Sequence, residues 1–225
     1  MAEYELMHCT IDDDAGVSQC KVSSFWNEEW WLTDYYDKRP NALRDAMTLR
    51  FPHTILRNRD VRRHQLVRHV PSGEVVGYAR WLLPKEAANE WLEAQSPDAS
   101  DEDKAKFEKI YDEVVWKFDD PITDQDDHVH GWRQELAPPG PHFELDYLCC
   151  RPDHRRKGVA SMLVQAGLRE ADRLKMDACL VAMGLSAVSL YKKLGFEVKA
   201  EKQLNLEPYR QSIYYTFWVV RKAPQ

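Results

Sequence analysis

Residues 143–160 read FELDYLCCRPDHRRKGVA, and this stretch determines how the rest of the chain is interpreted. Residues 143–150 form an apolar run of strand length that residues 151–153 bring to an end. A basic turn containing Gly158 follows. Beyond it, apolar residues recur at helical spacing: Val159, Met162, Leu163, Ala166, Leu168, Ala171 and Leu174. The stretch therefore predicts a strand, a basic turn and a helix.

The basic turn has the chemistry of a phosphate-binding site. The first turn of a helix leaves backbone N–H groups without partners, and their partial positive charge suits a pyrophosphate. Gly158 allows a ligand to approach the backbone closely, and Arg155, Arg156 and Lys157 add positive charge. A basic turn exposed to solvent has the same composition, so the residues alone leave that alternative open.

The remaining pattern predicts a mixed sheet with helices on its faces, an α/β (α+β) fold. The predicted strands cover residues 4–10, 65–70, 74–83, 143–150, 178–183, 196–202 and 213–220. The predicted helices cover residues 15–26, 27–37, 101–118, 158–174 and 186–194. Gly195 follows the last of these helices, as glycine often does at a helix C-terminus.

Residues 84–142 differ in character and indicate a helical insertion before the strand at residues 143–150. Its helix should direct Ala105, Ile110, Val114 and Phe118 inward. The insertion is either a lid over a substrate pocket or a solvated decoration of the fold. His128 and His130 stand among acidic residues there, but a solvated acidic loop accounts for them better than a metal site. No metal is expected.

Composition excludes several classes of function. The net charge of −6 gives nucleic-acid binding no electrostatic support. Five cysteines without a CxxC or zinc-type spacing indicate reduced thiols. No apolar run is long enough to cross a membrane, and the acidic start of the chain does not resemble a signal peptide. We expect a cytoplasmic protein, with the nucleus as the alternative.

Residues 148–160 resemble the first signature of the GNAT superfamily of N-acetyltransferases. That signature is a strand, a turn with proline, and then Arg/Gln-x-x-Gly-x-Gly/Ala, whose three fixed positions correspond to Arg155, Gly158 and Ala160. Residues 189–197, SLYKKLGFE, resemble the second signature of the family, and both occur at the family's spacing. The resemblance is firm over residues 143–198 and looser before them. No GxGxxG of a dinucleotide-binding fold follows a strand.

The resemblance implies a GNAT fold, with a mixed central sheet of six to seven strands flanked by helices, in one domain over residues 1–225. Residues 84–142 would be the insertion and residues 143–198 the core that binds the co-substrate acetyl-CoA. Its pantetheine arm would lie where residues 143–150 splay from residues 178–183. The implied cofactor-binding residues are Leu148, Cys149, Cys150, Arg155, Arg156, Lys157, Gly158, Val159, Ala160, Ser161, Ser186, Ser189 and Tyr191. The hydroxyl of Ser186 would also cap a helix.

The resemblance also implies the catalytic roles. Tyr191 would protonate the departing coenzyme A thiolate. The acceptor amine must lose a proton before it attacks the thioester, and Glu144, Asp146 or a water would take that proton. Strand alternation should place Glu144 and Asp146 on one face with Leu148 and Cys150.

The acceptor stays open at this stage. We expect transfer of the acetyl group to the primary amine of a small molecule, by direct attack in a ternary complex, because the long insertion at residues 84–142 suggests a partly covered pocket. The alternative is an open groove for protein or peptide lysines or N-termini. A non-catalytic acyl-CoA sensor is an alternative of another class, and monomer and homodimer are both compatible with the sequence. Trp26, Trp30 and Trp31 either contact the acceptor or pack in the core. Cys149 and Cys150 are expected to be buried thiols and not nucleophiles.

Overall fold

One mixed sheet organises the protein. The computed structural model describes residues 2–32, 39–114, 131–132, 135–205 and 213–224. Within these ranges the sheet has seven strands, in the order β1-β2-β3-β4-β5-β7-β6. The strands are β1 (Tyr4–His8), β2 (Arg62–His69), β3 (Val75–Leu82), β4 (His142–Cys150), β5 (Asp177–Met183), β6 (Glu197–Asn205) and β7 (Ile213–Arg221). Neighbouring strands are antiparallel except β4 and β5, which are parallel.

Helices cover both faces of the sheet, which confirms the predicted architecture. They are α1 (Asp14–Phe25), α2 (Glu29–Leu32), α3 (Pro40–Leu56), α4 (Asp101–Glu113), α5 (Val159–Arg173) and α6 (Leu185–Lys193). Helix α5 packs on one face against β3 and β4, and α1 packs on the other face against the same strands. No helix in the described part of the chain is both long and apolar enough to cross a membrane.

The core beneath α5 depends on close packing between Trp81 of β3 and Gly167 of α5. The side chains of Trp81, Phe143 and Leu163 are fully buried there. A Cβ atom on Gly167 would lie 2.2 Å from Cε2 of Trp81, so only glycine allows the indole to lie against the helix backbone. This contact holds α5, and therefore the turn that precedes it, at a fixed height above β3 and β4.

The opposite core lies between the sheet and the helices α1 and α3. It contains Val17 and Cys20 from α1, Phe51 from α3, and Tyr78 and Cys149 from the sheet, all of them buried. Because β3 and β4 contribute to both cores, their alternating side chains fix the two helical layers relative to each other.

Helix α3 was not predicted, because Pro52 lies inside it and proline ordinarily ends a helix. A signal was nevertheless present, since Leu43, Met47, Phe51 and Ile55 recur at every fourth position and all pack inward. Of the helix predicted over residues 27–37, the structure shows α2, and residues 33–38 lie outside the described residues.

Residues 87–94 of the insertion are part of the core and are not a solvated decoration. Arg63 is fully buried, and its guanidinium donates to the carbonyl oxygens of Ala88 at 2.8 Å and Trp91 at 2.9 Å.

Helix α4 packs on α3, where the guanidinium carbon of Arg50 lies 3.5 Å from the centre of the Tyr111 ring. The predicted inward face of α4 is wrong, because none of its residues is buried. Phe118, His128 and His130 lie outside the described residues.

Replacement of Gly167 by alanine should destabilise the protein. In an ordinary helix Gly→Ala stabilises by about 0.5–1 kcal/mol, whereas here the new methyl group collides with Trp81 and should cost about 1–3 kcal/mol. Urea unfolding measures the difference. The control is Gln165→Ala on the exposed side of α5, which should change stability by less than about 0.5 kcal/mol. A Gly167→Ala protein as stable as the wild type would contradict the packing.

Candidate active site

The site begins where β4 and β5 part. The two strands pair over three residues only, from His142 opposite Asp177 to Glu144 opposite Cys179. Beyond them the strands diverge, and a cleft of about 940 Å³ opens between them. This volume is at the upper end of the range of roughly 300–1,000 Å³ for small-molecule pockets.

A bulge in β4 reverses the faces of the strand. Leu145 lies opposite Trp81 and Tyr147 lies opposite Arg80, which leaves Asp146 as the extra residue. Before the bulge, Leu145 packs in the core beneath α5; after it, Tyr147 and Cys149 pack towards α1 and α3. Leu148 now lies on the α5 side.

The predicted common face of Glu144, Asp146, Leu148 and Cys150 is therefore wrong, because the extra residue shifts the alternation by one position. The sequence carries no separate signal for such a bulge. The structure also separates the two predicted carboxylates. Asp146 lines the cleft, whereas Glu144 lines another pocket, of about 420 Å³, with Leu82, Glu86 and His142.

The turn before α5 forms one rim of the cleft. Residues 152–154 make a single 3-10 turn, Arg156 has a φ of 62°, and Gly158 at the N-cap of α5 has a φ of 88°. These two left-handed residues turn the chain sharply, so that the first amides of α5 point outward at its positive end. A Cβ on Gly158 would meet no atom within 4 Å, so the glycine faces open space on the cleft.

Most of the predicted cofactor residues line this cleft. They are Leu148, Cys149, Cys150, Arg155, Arg156, Gly158, Val159, Ala160, Ser161, Ser186, Ser189 and Tyr191. Lys157 is exposed and does not belong to the lining. Arg155 makes a contact that sequence reasoning missed, since its guanidinium donates to the carbonyl oxygen of Ser24 at 2.7 Å.

Helix α6 brings Tyr191 to the opposite wall. Gly184, with a φ of 83°, is the N-cap of this helix, and no side chain caps it. Ser186 stands inside the helix, so its predicted capping role is wrong. Tyr191 is buried, its ring lies edge-on to Phe196 at 5.7 Å between ring centres, and burial raises the pKa of its phenol.

Aromatic residues form the wall on the side of α1. Phe25, Trp30 and Tyr147 line the cleft, with Phe25 lying 5.2 Å from Trp30 and 5.7 Å from Tyr147 between ring centres. Trp31 is buried in the core instead. Trp30 and Trp31 lie in α2, whereas Trp26 follows the end of α1 at Phe25.

A charged cluster lies behind Tyr147. Nζ of Lys21 is 4.5 Å from the Tyr78 ring centre and 5.0 Å from the Tyr147 ring centre, within the range of cation–π attraction. Burial, followed by the charge of Arg80, lowers the pKa of Lys21 to about 8. Arg80 forms an ion pair with Asp146, so the bulge carboxylate is held by a guanidinium from the neighbouring strand.

His64 completes this cluster as a neutral residue. It is fully buried, and its Nδ1 lies 2.9 Å from the Tyr78 hydroxyl. Burial, with Arg80 as the next cause, holds the pKa of His64 well below its usual range. Among the described residues, no group of three or more histidine, cysteine or acidic side chains is placed to hold a metal ion.

The fold and this cleft define an acyltransferase. The family model of the Acetyltransferase (GNAT) family matches residues 25–196, so the chain belongs to that family. The predictions of a GNAT fold and of an acyltransferase are confirmed. No curated protein gives a significant sequence match to the chain.

Solved structures of other proteins share this fold. The C-terminal condensation domain of Ebony, in complex with β-alanyl-dopamine, is 16% identical with a TM-score of 0.60, over 99% of this chain and 100% of that one. A histone acetyltransferase HPA2-related protein from Corynebacterium glutamicum is 17% identical with a TM-score of 0.58, over 100% of this chain and 98% of that one. Arylalkylamine N-acetyltransferase 2 from Aedes aegypti is 14% identical with a TM-score of 0.54, over 99% of this chain and 100% of that one. At these identities the likeness shows the fold.

Because the pKa of Lys21 is lowered, the free energy of unfolding should depend on pH. Between pH 8 and 10.5 the unfolded lysine binds a proton that the folded one has released, so stability should rise with pH in this window. Urea unfolding of wild type and Lys21→Met at pH 7 and pH 10 tests this. The wild type should gain stability relative to the variant at pH 10, because methionine keeps the packing and has no charge. Parallel pH profiles of the two proteins would contradict the burial of the ammonium group.

Proposed function

We propose that the protein transfers the acetyl group of acetyl-CoA to the primary amine of a small molecule, by direct attack in a ternary complex. One observation carries the proposal. The cleft that opens where the pairing of β4 with β5 ends joins the backbone of residues 145–150 to the turn at residues 155–158 and to Tyr191. An extended ligand with amide groups at its centre and phosphates at one end matches this arrangement.

In this proposal the pantetheine arm lies along Leu148 and Cys150 and completes their strand pairing, as an added strand would. The amides at the start of α5 hold the pyrophosphate, with Gly158 offering the open approach. Arg155 and Arg156 contribute charge at the rim. Lys157, outside the lining, adds only to the local positive field.

The chemical step uses two groups of the cleft. The neutral amine attacks the thioester carbon, a C–N bond forms, and the C–S bond breaks as the tetrahedral intermediate collapses. Tyr191 gives its proton to the departing thiolate. Because burial raises the pKa of Tyr191, its phenol stays protonated until that moment.

Asp146, and not Glu144, is the carboxylate proposed to act on the acceptor. It lines the cleft beside Tyr147, where it receives a hydrogen bond from the amine or from a water that removes the amine's proton. The ion pair with Arg80 fixes its orientation. Glu144 lies at the separate pocket and would not reach the thioester.

The cysteines support direct attack without an acyl-enzyme. Burial raises the pKa of Cys150 to about 12 and that of Cys149 well above its usual range. Both groups are therefore thiols at neutral pH, and the thiolate is the nucleophilic form.

The acceptor is proposed to carry an apolar or aromatic group, since Phe25, Trp30 and Tyr147 offer it an aromatic wall.

The chain is proposed to be one domain, because strands near both of its ends lie in the same sheet. No described residue of 84–142 lines the cleft, so a lid remains a prediction for the part of the insertion outside the described residues.

Gly158→Asp should remove acetyl-CoA binding, because it places a carboxylate where the pyrophosphate would lie. Gly73→Asp is a matched control: Gly73 also has a positive φ, of 73°, and open space around it, but it lies in the β2–β3 turn. Both changes should cost about 1–2 kcal/mol of stability through backbone strain. Calorimetry should show that Gly158→Asp weakens acetyl-CoA binding by at least about tenfold and that Gly73→Asp does not weaken it. Equal affinities in the two variants would remove the turn from the site.

Tyr191→Phe should lower kcat by about 10²-fold, as expected for the loss of a general acid, while the Kd of acetyl-CoA stays unchanged. The ring contact with Phe196 persists in the variant, so folding should be intact. Glu144→Gln serves as the control and should retain the wild-type kcat. Unchanged turnover in Tyr191→Phe, or a comparable loss in Glu144→Gln, would refute these roles.

An acceptor panel decides between the classes of function. Acetyl-CoA is offered with 2-phenylethylamine, tryptamine, spermidine, glucosamine or a peptide carrying a lysine and a free N-terminus, and release of free coenzyme A thiol is followed. The aromatic amines should react fastest, and Trp30→Leu should raise their KM with little change in acetyl-CoA affinity. Turnover of the peptide alone would indicate a protein acetyltransferase. Tight acetyl-CoA binding without any turnover would indicate a sensor.

A further inference from the structure

Two cysteines from distant parts of the chain meet under the floor of the cleft. Sγ of Cys20 on α1 lies 3.7 Å from Sγ of Cys149 on β4, and the two residues are 129 positions apart. Cys20 is fully buried and Cys149 is 3% exposed. All five cysteines of the chain are free thiols, but this is the pair whose sulfurs share a hydrogen bond.

The two thiols are electrostatically unequal. The hydrogen bond with Cys149 lowers the pKa of Cys20, in opposition to burial, which raises it. Burial raises the pKa of Cys149 well above its usual range. One sulfur is thus more easily ionised while its neighbour keeps a proton for it. Reactive dithiols have the same arrangement, in which a stabilised thiolate lies next to a second thiol.

We propose that Cys20 and Cys149 are a redox modification site, at which a peroxide converts the two thiols into a disulfide that links α1 to β4. The Cys20 thiolate attacks one oxygen of hydrogen peroxide, the O–O bond breaks, and a sulfenic acid forms with release of hydroxide. The Cys149 sulfur then attacks that sulfenic acid, and water leaves. In total, two thiols and one hydrogen peroxide give one disulfide and two waters.

The neighbouring cysteines do not offer this reaction. Cys150 follows Cys149 on β4, so its side chain lies on the opposite face, and its thiol contacts the carbonyl oxygen of Arg151 at 3.6 Å. Cys9 is buried in the same cluster as Cys20. Cys9 is therefore a control, because it is as buried as Cys20 and lies in the same cluster but is not part of the hydrogen-bonded pair.

The site is connected to the cleft, because Cys149 belongs to its lining. In this proposal a small oxidant reaches the pair from the cleft, past Cys149, and a molecule lying along β4 would block that route. Disulfide formation shortens the sulfur–sulfur distance from 3.7 Å to about 2.05 Å and draws β4 towards α1. Leu148 and Cys150, the proposed partners of the pantetheine arm, move with it. The effect on acetyl-CoA rests on the proposed function, whereas the cross-link itself does not.

Peptide mapping tests the cross-link. The folded protein is treated with hydrogen peroxide, the remaining thiols are blocked, and the protein is digested with trypsin without reduction. A Cys20–Cys149 disulfide joins the peptides 1–21 and 134–155, which contain Cys9 and Cys20, and Cys149 and Cys150, respectively. Cys20→Ala and Cys149→Ala should each remove the joined peptide, whereas Cys9→Ala and Cys150→Ala should retain it.

Acetyl-CoA binding to the same samples tests the consequence. Oxidised wild type should bind acetyl-CoA about tenfold more weakly or worse, since small displacements of contacting groups have effects of this size, and dithiothreitol should restore the affinity. Oxidised Cys20→Ala should bind as its reduced form does. Prior addition of acetyl-CoA, which has no free thiol to consume the peroxide, should slow the cross-link in the wild type.

The outcomes separate this inference from the proposed function. A joined peptide that survives in Cys20→Ala, or sulfinic acids without any joined peptide, would overturn the modification site. If the cross-link forms but leaves the affinity of the wild type unchanged, its proposed effect on the cleft is wrong. If reduced wild type does not bind acetyl-CoA at all, the proposed function fails while the cross-link stands.

Discussion

The parallel strands β4 and β5 hydrogen-bond to each other over three residues at one end and then part, although each stays in the sheet through its other neighbour. Past Glu144, β4 stays paired with β3 on one side, while its pairing with β5 on the other side has ended. The space between the two strands is wide enough for an extended ligand that lies along β4 as an added strand would. The cleft thus exists because β5 diverges from β4 while it stays paired with β7 along its other edge.

The bulge at Asp146 divides the cleft into two halves with different chemistry. One extra residue turns Tyr147 and Cys149 towards α1, while Leu148 and Cys150 face α5. The α5 side offers helix amides and basic residues, which suit a phosphate-bearing donor. The α1 side offers aromatic rings and a carboxylate held by Arg80, which suit an organic amine. Arg155 connects the halves, since it stands on the donor rim and binds the end of α1.

Local patterns in the sequence were sufficient to predict the mixed sheet and the basic turn before α5. The residues of the turn at 155–158 alone also fit a solvent-exposed turn, and its prediction as a binding site came from the first family signature; Tyr191 was predicted because it belongs to the second signature. The bulge was missed because nothing in residues 143–150 distinguishes a strand with an extra residue from a regular one. Its position depends on how β3 pairs, which is a property of tertiary structure. Helix α3 was missed because Pro52 masked a regular apolar repeat. The link between Arg155 and Ser24 joins residues 131 positions apart, and no local pattern could indicate it.

Hydrogen exchange of backbone amides, measured with and without acetyl-CoA, tests the central claim most directly. If the parted strand and the N-terminus of α5 hold the donor, acetyl-CoA should slow the exchange of residues 145–150 and 156–162. The amides around the second pocket, at Leu82 to Glu86, should exchange at the same rate in both samples. Protection confined to that second pocket, or unchanged exchange along β4 under saturating acetyl-CoA, would contradict the account.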